Sequence, residues 1–206
     1  MGAPVGPGSG RPVTGVLLAA GPGTRLGRGP KALLASRGVP LVSRLVDELR
    51  AGGCAGVVVV LGARAARVRA EADLAGCTIV ENPLWSEGMG GSFRTGIGAV
   101  PTGRDVLVAL VDQPGLDRAM VRRLLQAHVP GRVTAAGFAG GTEGLRRGHP
   151  VLFAADAART AAAAAEGDAG ARGWLARNPG IVDLVDCSDL SDGGDVDTAA
   201  DLWRLG

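Results

Sequence analysis

Short apolar runs alternate with amphipathic segments along the first two thirds of the chain. Runs of large apolar or β-branched residues are typical of buried strands. Such runs occur at Val13–Ala19, Gly56–Leu61, Cys77–Glu81 and Asp105–Val111. Segments with apolar residues at helical spacing lie between and after them, at Leu41–Ala51, Ala63–Ala72, Ser92–Ala99 and Leu116–Ala127. This alternation predicts an α/β fold with a mostly parallel sheet covered by helices on both faces.

The alternation loosens after residue 130. There the sequence predicts two strands around a glycine-rich turn, then two helices, a strand, a carboxylate-rich loop and a terminal helix. The ranges before the terminal helix are Arg132–Phe138, Gly140–Gly148, His149–Phe153, Ala154–Ala165, Gly170–Arg177, Ile181–Cys187 and Asp189–Asp197. Residues 1–12 are rich in glycine and proline and predict a disordered leader. A single domain is therefore expected over residues 13–206.

Composition and charge narrow the range of functions. The formal net charge is only +2, tyrosine is absent and aromatic residues make up 3% of the chain, which argues against nucleic acid as a partner. No apolar run approaches the roughly 18 residues of a membrane span, so no membrane partner is expected. Cys54, Cys77 and Cys187 are too widely spaced for a zinc site, and we interpret them as buried thiols of a cytoplasmic protein.

The only lysine of the chain lies in a glycine-rich loop after the first predicted strand. Lys31 closes the segment Ala19–Lys31, whereas all other basic side chains apart from histidine are arginines. Glycines let backbone N–H groups approach a phosphate closely, and Arg25 and Lys31 could neutralise its charge. The loop matches neither the P-loop, because Ala32 replaces Ser or Thr, nor the dinucleotide-binding motif. A flexible surface loop is the alternative interpretation.

Carboxylates follow a predicted strand and precede the terminal helix. Asp112 ends an apolar strand, where it could bind Mg²⁺ or cap the following helix. Asp195 and Asp197 could supply the second face of the same Mg²⁺ site, or cap the terminal helix. Because ligands bind at the carboxyl ends of parallel strands, the lysine loop and Asp112 are expected to meet.

Three further segments could bind ligands. Trp85–Gly98 is glycine-rich and leads into a helix, so it could hold a nucleotide base or ribose, or be an ordinary helix start. His149 precedes a predicted strand and is either structural or part of a binding site. The turn Gly167–Arg172 could bind an anion, or simply cap a helix.

Together these motifs resemble the MobA-like nucleotidyltransferase family, whose hallmark loop reads roughly LAAGxSxRxGxxK. Leu18–Lys31 is similar to that loop, with one residue inserted between Gly27 and Lys31. The chain looks most like the molybdenum cofactor cytidylyltransferase branch, which shows the further motifs NPxWxxGMxxSxxxG, DQP, GHPVxF, GDxGAR and DIDT or DVDT. Similar stretches occur here in that order, at Asn82–Gly96, Asp112–Pro114, Gly148–Phe153, Gly167–Arg172 and Asp195–Thr198.

The resemblance implies a Rossmann-like three-layer sandwich of the nucleotide-diphospho-sugar transferase type. It also implies transfer of CMP from CTP to the phosphate of molybdopterin, with release of pyrophosphate and Mg²⁺ as cofactor. By the same resemblance Arg25 and Lys31 grip phosphates, Asp112 binds Mg²⁺, and Asp195 or Asp197 supplies the second carboxylate. The implied nucleotide and acceptor contacts are Leu18, Ala19, Ala20, Gly21, Gly23, Gly90, Gly91, Ser92, His149 and Asp168.

Several related functions remain open at this point. One is guanylyl transfer to the same pterin; others are transfer to phospholactate in deazaflavin-cofactor synthesis or to a sugar phosphate. A non-catalytic carrier that binds a nucleotide or the pterin is a further hypothesis. In the leading interpretation, the product could pass to a molybdoenzyme or its chaperone. The choice of base rests on backbone contacts that sequence patterns describe poorly.

Overall fold

The structure, a computed structural model, describes residues 10–140 and 144–206. Strands of the described residues are β1 (Val13–Ala19), β2 (Ala35–Ser36), β3 (Val39–Pro40), β4 (Gly56–Leu61), β5 (Thr78–Glu81), β6 (Asp105–Leu110), β7 (Val133–Ala139), β8 (Leu145–Phe153) and β9 (Val182–Asp186). The α-helices are α1 (Leu41–Gly52), α2 (Ala65–Glu71), α3 (Met89–Gly98), α4 (Arg118–Ala127), α5 (Ala155–Ala163) and α6 (Arg172–Arg177). Short 3₁₀ helices lie at Thr24–Leu26, Lys31–Leu33, Trp85–Glu87, Gly167–Ala169, Pro179–Ile181 and Ala199–Leu205.

The main sheet has seven strands in the order β5-β4-β1-β6-β8-β7-β9. The first four of these run parallel, and β7 and β9 are also parallel to each other. Only β8 is antiparallel to both of its neighbours, β6 and β7. The α/β fold with a mostly parallel sheet is therefore confirmed. Because β1 and β6 are adjacent and parallel, with Leu18 paired to Leu110, their carboxyl ends open at the same edge of the sheet.

Two apolar layers cover the sheet because side chains alternate between its faces. On one face, Leu17 of β1 packs in the cluster that includes Leu45 and Leu49 of α1. On the other face, Val16 of β1 belongs to a cluster with Phe93 of α3. Complete burial of a large apolar side chain contributes about 1.5–3 kcal/mol, so these layers supply the main driving force for folding.

The predicted turn over Gly140–Gly148 is wrong in its second half. Strand β8 begins at Leu145 rather than at His149, and Leu145 pairs with Ala139 of β7. The glycines of this stretch suggested a turn, but backbone pairing with β7 dominates. Gly148 permits it, because a Cβ there would lie 2.6 Å from the ring of Phe138. Residues 141–143 of the predicted turn lie outside the described residues.

The terminal helix is a 3₁₀ helix, Ala199–Leu205, rather than an α-helix. Other predicted boundaries agree with the structure to within a few residues; α2, for example, is two residues shorter at its start than predicted. Residues 1–9 of the predicted leader lie outside the described residues. Of the helices that the structure describes, none is both long and apolar enough to cross a bilayer.

Candidate active site

The carboxyl ends of β1 and β6 bring together the lysine and two of the predicted carboxylates. The Lys31 Nζ atom donates hydrogen bonds to Oδ2 of Asp112 at 3.1 Å and to Oδ1 of Asp197 at 2.5 Å. The Arg25 guanidinium lies 3.3 Å from Oδ2 of Asp197. The Lys31 side chain is 14% exposed, whereas those of Asp112 and Asp197 are 29% and 33% exposed. We call Lys31, Asp112 and Asp197 the lysine–carboxylate cluster.

Opposing effects act on the pKa of Lys31. Burial lowers it, but the charges and hydrogen bonds of Asp112 and Asp197 outweigh burial and raise the pKa above its usual value of 10.5. Lys31 is therefore cationic at neutral pH. Together with the two carboxylates it carries a net negative charge, which favours the approach of a further cation.

Glycine geometry shapes the loop between β1 and Lys31. Gly23 has a φ of 66°, and a Cβ on it would collide with the carbonyl oxygen of Gly29, so a larger residue does not fit. Within the described residues, the N–H groups of Gly21 and Gly23 donate to no backbone acceptor. Free N–H groups beside a lysine are suited to binding an anion such as phosphate.

Backbone hydrogen bonds place Asp112 next to the other two segments of the site. The Val111 N–H donates to the carbonyl oxygen of Leu18 at 3.1 Å, which fixes the end of β6 against the end of β1. The Val196 N–H donates to the carbonyl oxygen of Asp112 at 2.8 Å. Asp197 follows Val196 directly, so this bond brings the second carboxylate to the cluster.

Other residues form the helix caps that were the alternative interpretation of these carboxylates. Asp117, and not Asp112, caps α4, since its Oδ1 accepts a hydrogen bond from the Met120 N–H at 2.8 Å. Thr198 and Asp201 form a capping box at the terminal 3₁₀ helix. The carboxylates predicted as metal ligands are thus not engaged as caps.

Asp195 lies beside the cluster and bonds a different partner. Its Oδ1 accepts a hydrogen bond from Nε2 of Gln113 at 2.8 Å. Burial raises the pKa of Asp195 above its usual value of 3.8; the charges of Asp112 and Asp197 add to this, while the Gln113 hydrogen bond opposes it. Gln113 and Asp195 both line the adjacent cavity.

The cavity next to this pair has a volume of about 230 Å³. Much of its lining is apolar, from Leu18, Phe93, Val108, Leu110, Val151 and Phe153. Basic and imidazole side chains complete it, from Arg146, Arg147, His149 and Arg172. Apolar walls with a few convergent polar groups are typical of small-molecule sites. This lining suits a ligand with a flat apolar part and an anionic group.

His149 is partly buried in the lining of the cavity. Its pKa is lowered from 6.5 to about 4: burial is the main cause, the charges of Arg147 and Arg172 act in the same direction, and the charge of Asp195 opposes them. The imidazole is therefore neutral at pH values around 7. A neutral ring can donate from one nitrogen and accept at the other, which suits recognition of a polar heterocycle.

We expect the free energy of unfolding to fall as the pH drops from about 6.5 to about 4, the interval between the ordinary and the folded-state pKa of His149. In that interval the unfolded chain binds a proton at His149 and the folded chain does not, so acid favours unfolding. Denaturant titrations of wild type and His149→Gln across these pH values would measure the effect, and the variant should show the weaker decline.

His128 would account for the decline that remains in the variant, because burial also lowers its pKa. Carboxylates with lowered pKa, such as Glu48 beside Arg118, add to the decline at the acid end of the interval, near the ordinary glutamate pKa of 4.5 and below, but they do so equally in wild type and in His149→Gln. Equal slopes in wild type and His149→Gln would show that His149 is not held neutral by the fold.

The predicted nucleotide-contacting residues Gly90, Gly91 and Ser92 pack against protein. A Cβ on Gly90 would lie 3.0 Å from the backbone of Glu166, and one on Gly91 would lie 3.1 Å from the amide nitrogen of Asn82. Ser92 is 4% exposed, and its Oγ accepts a hydrogen bond from Nδ2 of Asn82 at 3.0 Å. Close packing is thus a second explanation for these three small residues, and their contact with a nucleotide stays a prediction.

Of the other residues predicted to contact the nucleotide or the acceptor, some line the cavity and some do not. Leu18 lines the cavity, while Ala19 and Ala20 are buried behind it. Asp168 is exposed and does not line the cavity, although Ala169–Arg172 directly after it does. Of the predicted anion-binding turn Gly167–Arg172, the residues from Ala169 onwards therefore line the cavity.

Several residues near the site were not singled out from the sequence. Met89 and Phe93 of α3 and Gln113 after β6 line the cavity, as do Arg146 and Arg147 of β8. The two adjacent arginines before His149 were a usable signal, because paired cations are unusual in a strand next to a buried run. Assigning that stretch to a turn concealed it.

The lysine–carboxylate cluster fits a divalent cation. Asp112 and Asp197 both reach one ammonium group and remain partly exposed, so they could share a metal ion. Within residues 10–140 and 144–206, no group of three or more His, Cys, Asp or Glu side chains is arranged to hold a metal. Mg²⁺ commonly takes one or two carboxylates and completes its shell with substrate phosphates and water. A cation here would need oxygens from a bound triphosphate.

The sheet order, the glycine loop with its lysine and the paired carboxylates define a nucleotidyltransferase. The chain belongs to the MobA-like NTP transferase family, whose domain model matches residues 15–182. A nucleotidyl transferase from Methanothermobacter thermautotroptrophicus is similar in fold, with 24% identity, a TM-score of 0.80, and coverage of 95% of this chain and 96% of that one.

Two other proteins are similar in sequence as well. The nicotine blue oxidoreductase of Paenarthrobacter nicotinovorans is 51% identical over 195 residues, which cover 94% of this chain and 96% of that protein. Rv0371c from Mycobacterium tuberculosis, whose structure is a complex with manganese, is 28% identical with a TM-score of 0.74, and the match covers 94% of this chain and 97% of that one. A divalent metal is therefore plausible for this family.

Proposed function

We propose that this protein is a cytidylyltransferase that transfers CMP from CTP to the phosphate of molybdopterin and releases pyrophosphate. The observation that carries the proposal is the lysine–carboxylate cluster, in which Lys31 Nζ bonds both Asp112 and Asp197 at the end of the glycine loop. The cluster adjoins a cavity that can take the flat part of an acceptor. The reaction would take place in the cytoplasm, and a molybdoenzyme or its chaperone would receive the product.

The chain's own groups would act mainly by positioning and charge stabilisation. The N–H groups of Gly21 and Gly23 would bind triphosphate oxygens, and Lys31 would stabilise charge on the transferred or leaving phosphates. Arg25, whose side chain is 78% exposed, can swing onto the outer phosphates. The acceptor phosphate has a second pKa of about 6 and is already an anionic nucleophile, so its attack on the α-phosphorus needs no strong base.

A divalent cation would be held by Asp112 and Asp197. When bound, it supplies positive charge that neutralises the triphosphate oxygens. Asp197 is the better candidate for the second carboxylate, because it shares Lys31 with Asp112 whereas Asp195 bonds Gln113. Mg²⁺ is the ion that we propose for this role.

We expect Asp112→Asn and Asp197→Asn each to raise the Mg²⁺ concentration needed for half-maximal activity, since each removes one anionic ligand. Asp195→Asn should raise it less, because Asp195 already accepts a hydrogen bond from Gln113. Steady-state assays across a Mg²⁺ titration would rank the three variants. If Asp195→Asn had the larger effect and Asp197→Asn none, the second ligand would be Asp195.

The cavity offers the acceptor two kinds of contact. Met89 and Leu110, which are not fully buried, provide apolar surface for a ring system, and Arg147 and Arg172 provide positive charge. Neutral His149 could exchange hydrogen bonds with a heterocycle in the same space. A pterin with an anionic side chain combines these requirements, which supports molybdopterin as the acceptor.

Thermal stabilisation by nucleotides provides the first test. CTP, GTP, ATP and UTP would each be added with and without Mg²⁺; a ligand at ~100 times its Kd stabilises the folded state by about 2.7 kcal/mol. A Mg²⁺-dependent preference for CTP, followed by pyrophosphate release with molybdopterin, would support the proposal. A preference for GTP or ATP would mean that this nucleotide, and not CTP, is the donor. Binding without pyrophosphate release would favour a non-catalytic carrier.

Oxidoreduction is a second candidate function, favoured by one observation. The relative named nicotine blue oxidoreductase is 51% identical and matches almost the whole of both chains. The cavity could also take a flat heteroaromatic dye, because its lining combines apolar and basic side chains. In this interpretation the dye would accept electrons from a reduced nicotinamide dinucleotide, supplied as co-substrate.

Anaerobic mixing of the protein with nicotine blue and NADH or NADPH would test the second candidate by loss of the dye's colour. Wild type and Lys31→Ala should be compared in both assays. Dye reduction that survives the loss of Lys31, without nucleotidyl transfer in wild type, would favour oxidoreduction. Nucleotidyl transfer that depends on Lys31, without dye reduction, would exclude it.

A further inference from the structure

A buried arginine lies beneath the three segments that carry the lysine–carboxylate cluster. Arg44, on the first turns of α1, is 8% exposed. Its Nε donates to Oγ of Ser36 at 3.0 Å, and its Nη2 donates to the carbonyl oxygen of Pro114 at 2.5 Å. A longer bond of 3.4 Å runs from Nη1 to the carbonyl oxygen of Leu116. These oxygens are neutral, so the guanidinium is buried without a hydrogen-bonded carboxylate.

Ser36 extends this network to the C-terminal segment. Its side chain is completely buried, and its Oγ donates to the carbonyl oxygen of Leu205 at 2.6 Å. Leu205 ends the 3₁₀ helix that begins two residues after Asp197. Ser36 and Arg44 together therefore connect the end of that helix to α1.

Each connected segment contains one member of the cluster. Ser36 lies five residues after Lys31, Pro114 lies two residues after Asp112, and Leu205 closes the helix that follows Asp197. Arg44 is thus the meeting point of segments that are distant in sequence: Pro114 lies 70 positions after Arg44, and Leu205 lies 169 positions after Ser36.

A buried cation with neutral acceptors is costly, because water solvates a guanidinium well. An apolar residue would fill this space with less penalty, so the arginine needs another explanation than stability. The planar fork of a guanidinium can bond several oxygens at fixed angles, which neither lysine nor an apolar side chain can do. Fixed angles matter where segments from distant parts of the chain must meet with small positional error.

We propose that Arg44, with Ser36, is a positioning residue that holds the segments of Lys31, Asp112 and Asp197 in their mutual arrangement. Arg44 does not touch the substrate in this role. Its part in turnover rests on the proposed nucleotidyl transfer, but its part in the geometry of the cluster does not. The experiment can therefore measure the two separately.

The single lysine makes the geometry directly observable. Protein grown with lysine labelled with ¹³C at Cε gives one lysine signal, from Lys31, since the chain has no other lysine. Arg44→Met keeps the apolar length of the side chain and removes the fork. Its Lys31 signal should move towards that of an exposed lysine, and kcat should fall by about 10²-fold, the cost of a small misplacement of catalytic groups.

Arg50→Met is the matched control. Arg50 is on the same helix and also donates to a carbonyl oxygen, that of Ala75, at 2.5 Å, but this bond leads away from the site. Its Lys31 signal and kcat should equal those of wild type. Arg44→Lys keeps the charge without the fork and should not restore the signal. Ser36→Ala removes both the link to Leu205 and the acceptor of Arg44 Nε, but it keeps the bonds from Arg44 to Pro114 and Leu116, so it should shift the signal in the same direction by less.

The proposal is overturned if folded Arg44→Met keeps both the wild-type Lys31 signal and the wild-type kcat, or if Arg50→Met changes them equally. Should Arg44→Met fail to fold, Arg44→Lys and Ser36→Ala decide by the same criteria. If wild type shows no nucleotidyl transfer with any nucleotide, the proposed function fails, and the lysine signal still decides whether Arg44 positions the cluster.

Discussion

Replacing Lys31 by alanine should lower the turnover of nucleotidyl transfer by about 10²–10³-fold, the range observed when one preorganised electrostatic group is removed. The structure gives the reason: the Lys31 ammonium is partly buried and held at 3.1 Å and 2.5 Å from two carboxylates, so no mobile side chain can replace it. Steady-state rates with CTP and the acceptor would measure the loss.

Two further variants, Lys31→Arg and Arg25→Ala, would show which property of Lys31 causes that loss of turnover. Lys31→Arg keeps a positive charge but places a wider planar fork between Asp112 and Asp197, so we expect it to recover little activity. Arg25→Ala should cost less than Lys31→Ala, because the Arg25 side chain is 78% exposed and makes one long ion pair of 3.3 Å. Near wild-type turnover in Lys31→Ala would remove the lysine from the mechanism.

Gly88→Ala should lower the free energy of unfolding by about 3 kcal/mol or more, because backbone strain and steric overlap add. Gly88 is the N-cap residue that precedes α3; its φ is 118°, and a Cβ on it would lie 2.5 Å from the carbonyl oxygen of Gly167. Neither backbone can move without displacing the Gly167–Arg172 turn, which contributes Arg172 to the cavity. The melting temperature should fall by roughly 6–12 °C, and activity should fall with it.

Gly103→Ala separates the two causes. Gly103 also has a positive φ, 81°, but nothing lies within 4 Å of where its Cβ would be. It should therefore lose only the strain contribution, about 1 kcal/mol, and keep full activity. Calorimetry and activity assays on both variants are the measurement. Equal melting temperatures would show that the Gly88 segment yields to the extra methyl group, and that its close packing is not needed.

Local patterns were sufficient for most of the fold. The alternation of apolar runs with amphipathic segments predicted β1, β4, β5, β6 and α1 to α4, because burial on a strand or helix face repeats with the period of that element. It missed β2 and β3, which have only two residues each and therefore show no period. The Gly140–Gly148 stretch failed for a related reason. The first half of strand β8 contains arginines and glycine, so it shows no apolar period. Pairing with β7 and packing of Gly148 on Phe138 make this segment extended.

For the site, the sequence pointed to the lysine loop, Asp112 and the Asp195–Thr198 motif, because glycines, a lone lysine and carboxylates after strands have few other uses together. It left open which carboxylate acts and whether each one is a cap. It also predicted nucleotide contacts at Gly90 and Gly91; these glycines lie close to Glu166 and Asn82, and the nucleotide contact stays a prediction. A glycine that contacts a ligand and a glycine that packs against protein look the same in a sequence, since each requires only the absence of a side chain.

The sequence by itself determined the class of fold, and it predicted phosphate binding by the first loop and the side chains available for chemistry at the site. The tertiary structure decided that Lys31 lies between Asp112 and Asp197, which are 81 and 166 residues away along the chain. It also decided that Asp195 turns to Gln113 and that Arg44 connects the three segments. The period of apolar positions along a strand or helix is a local property, so it can be read from a short stretch of sequence. Distances between remote side chains depend on strand order, which only the packing of the whole domain selects.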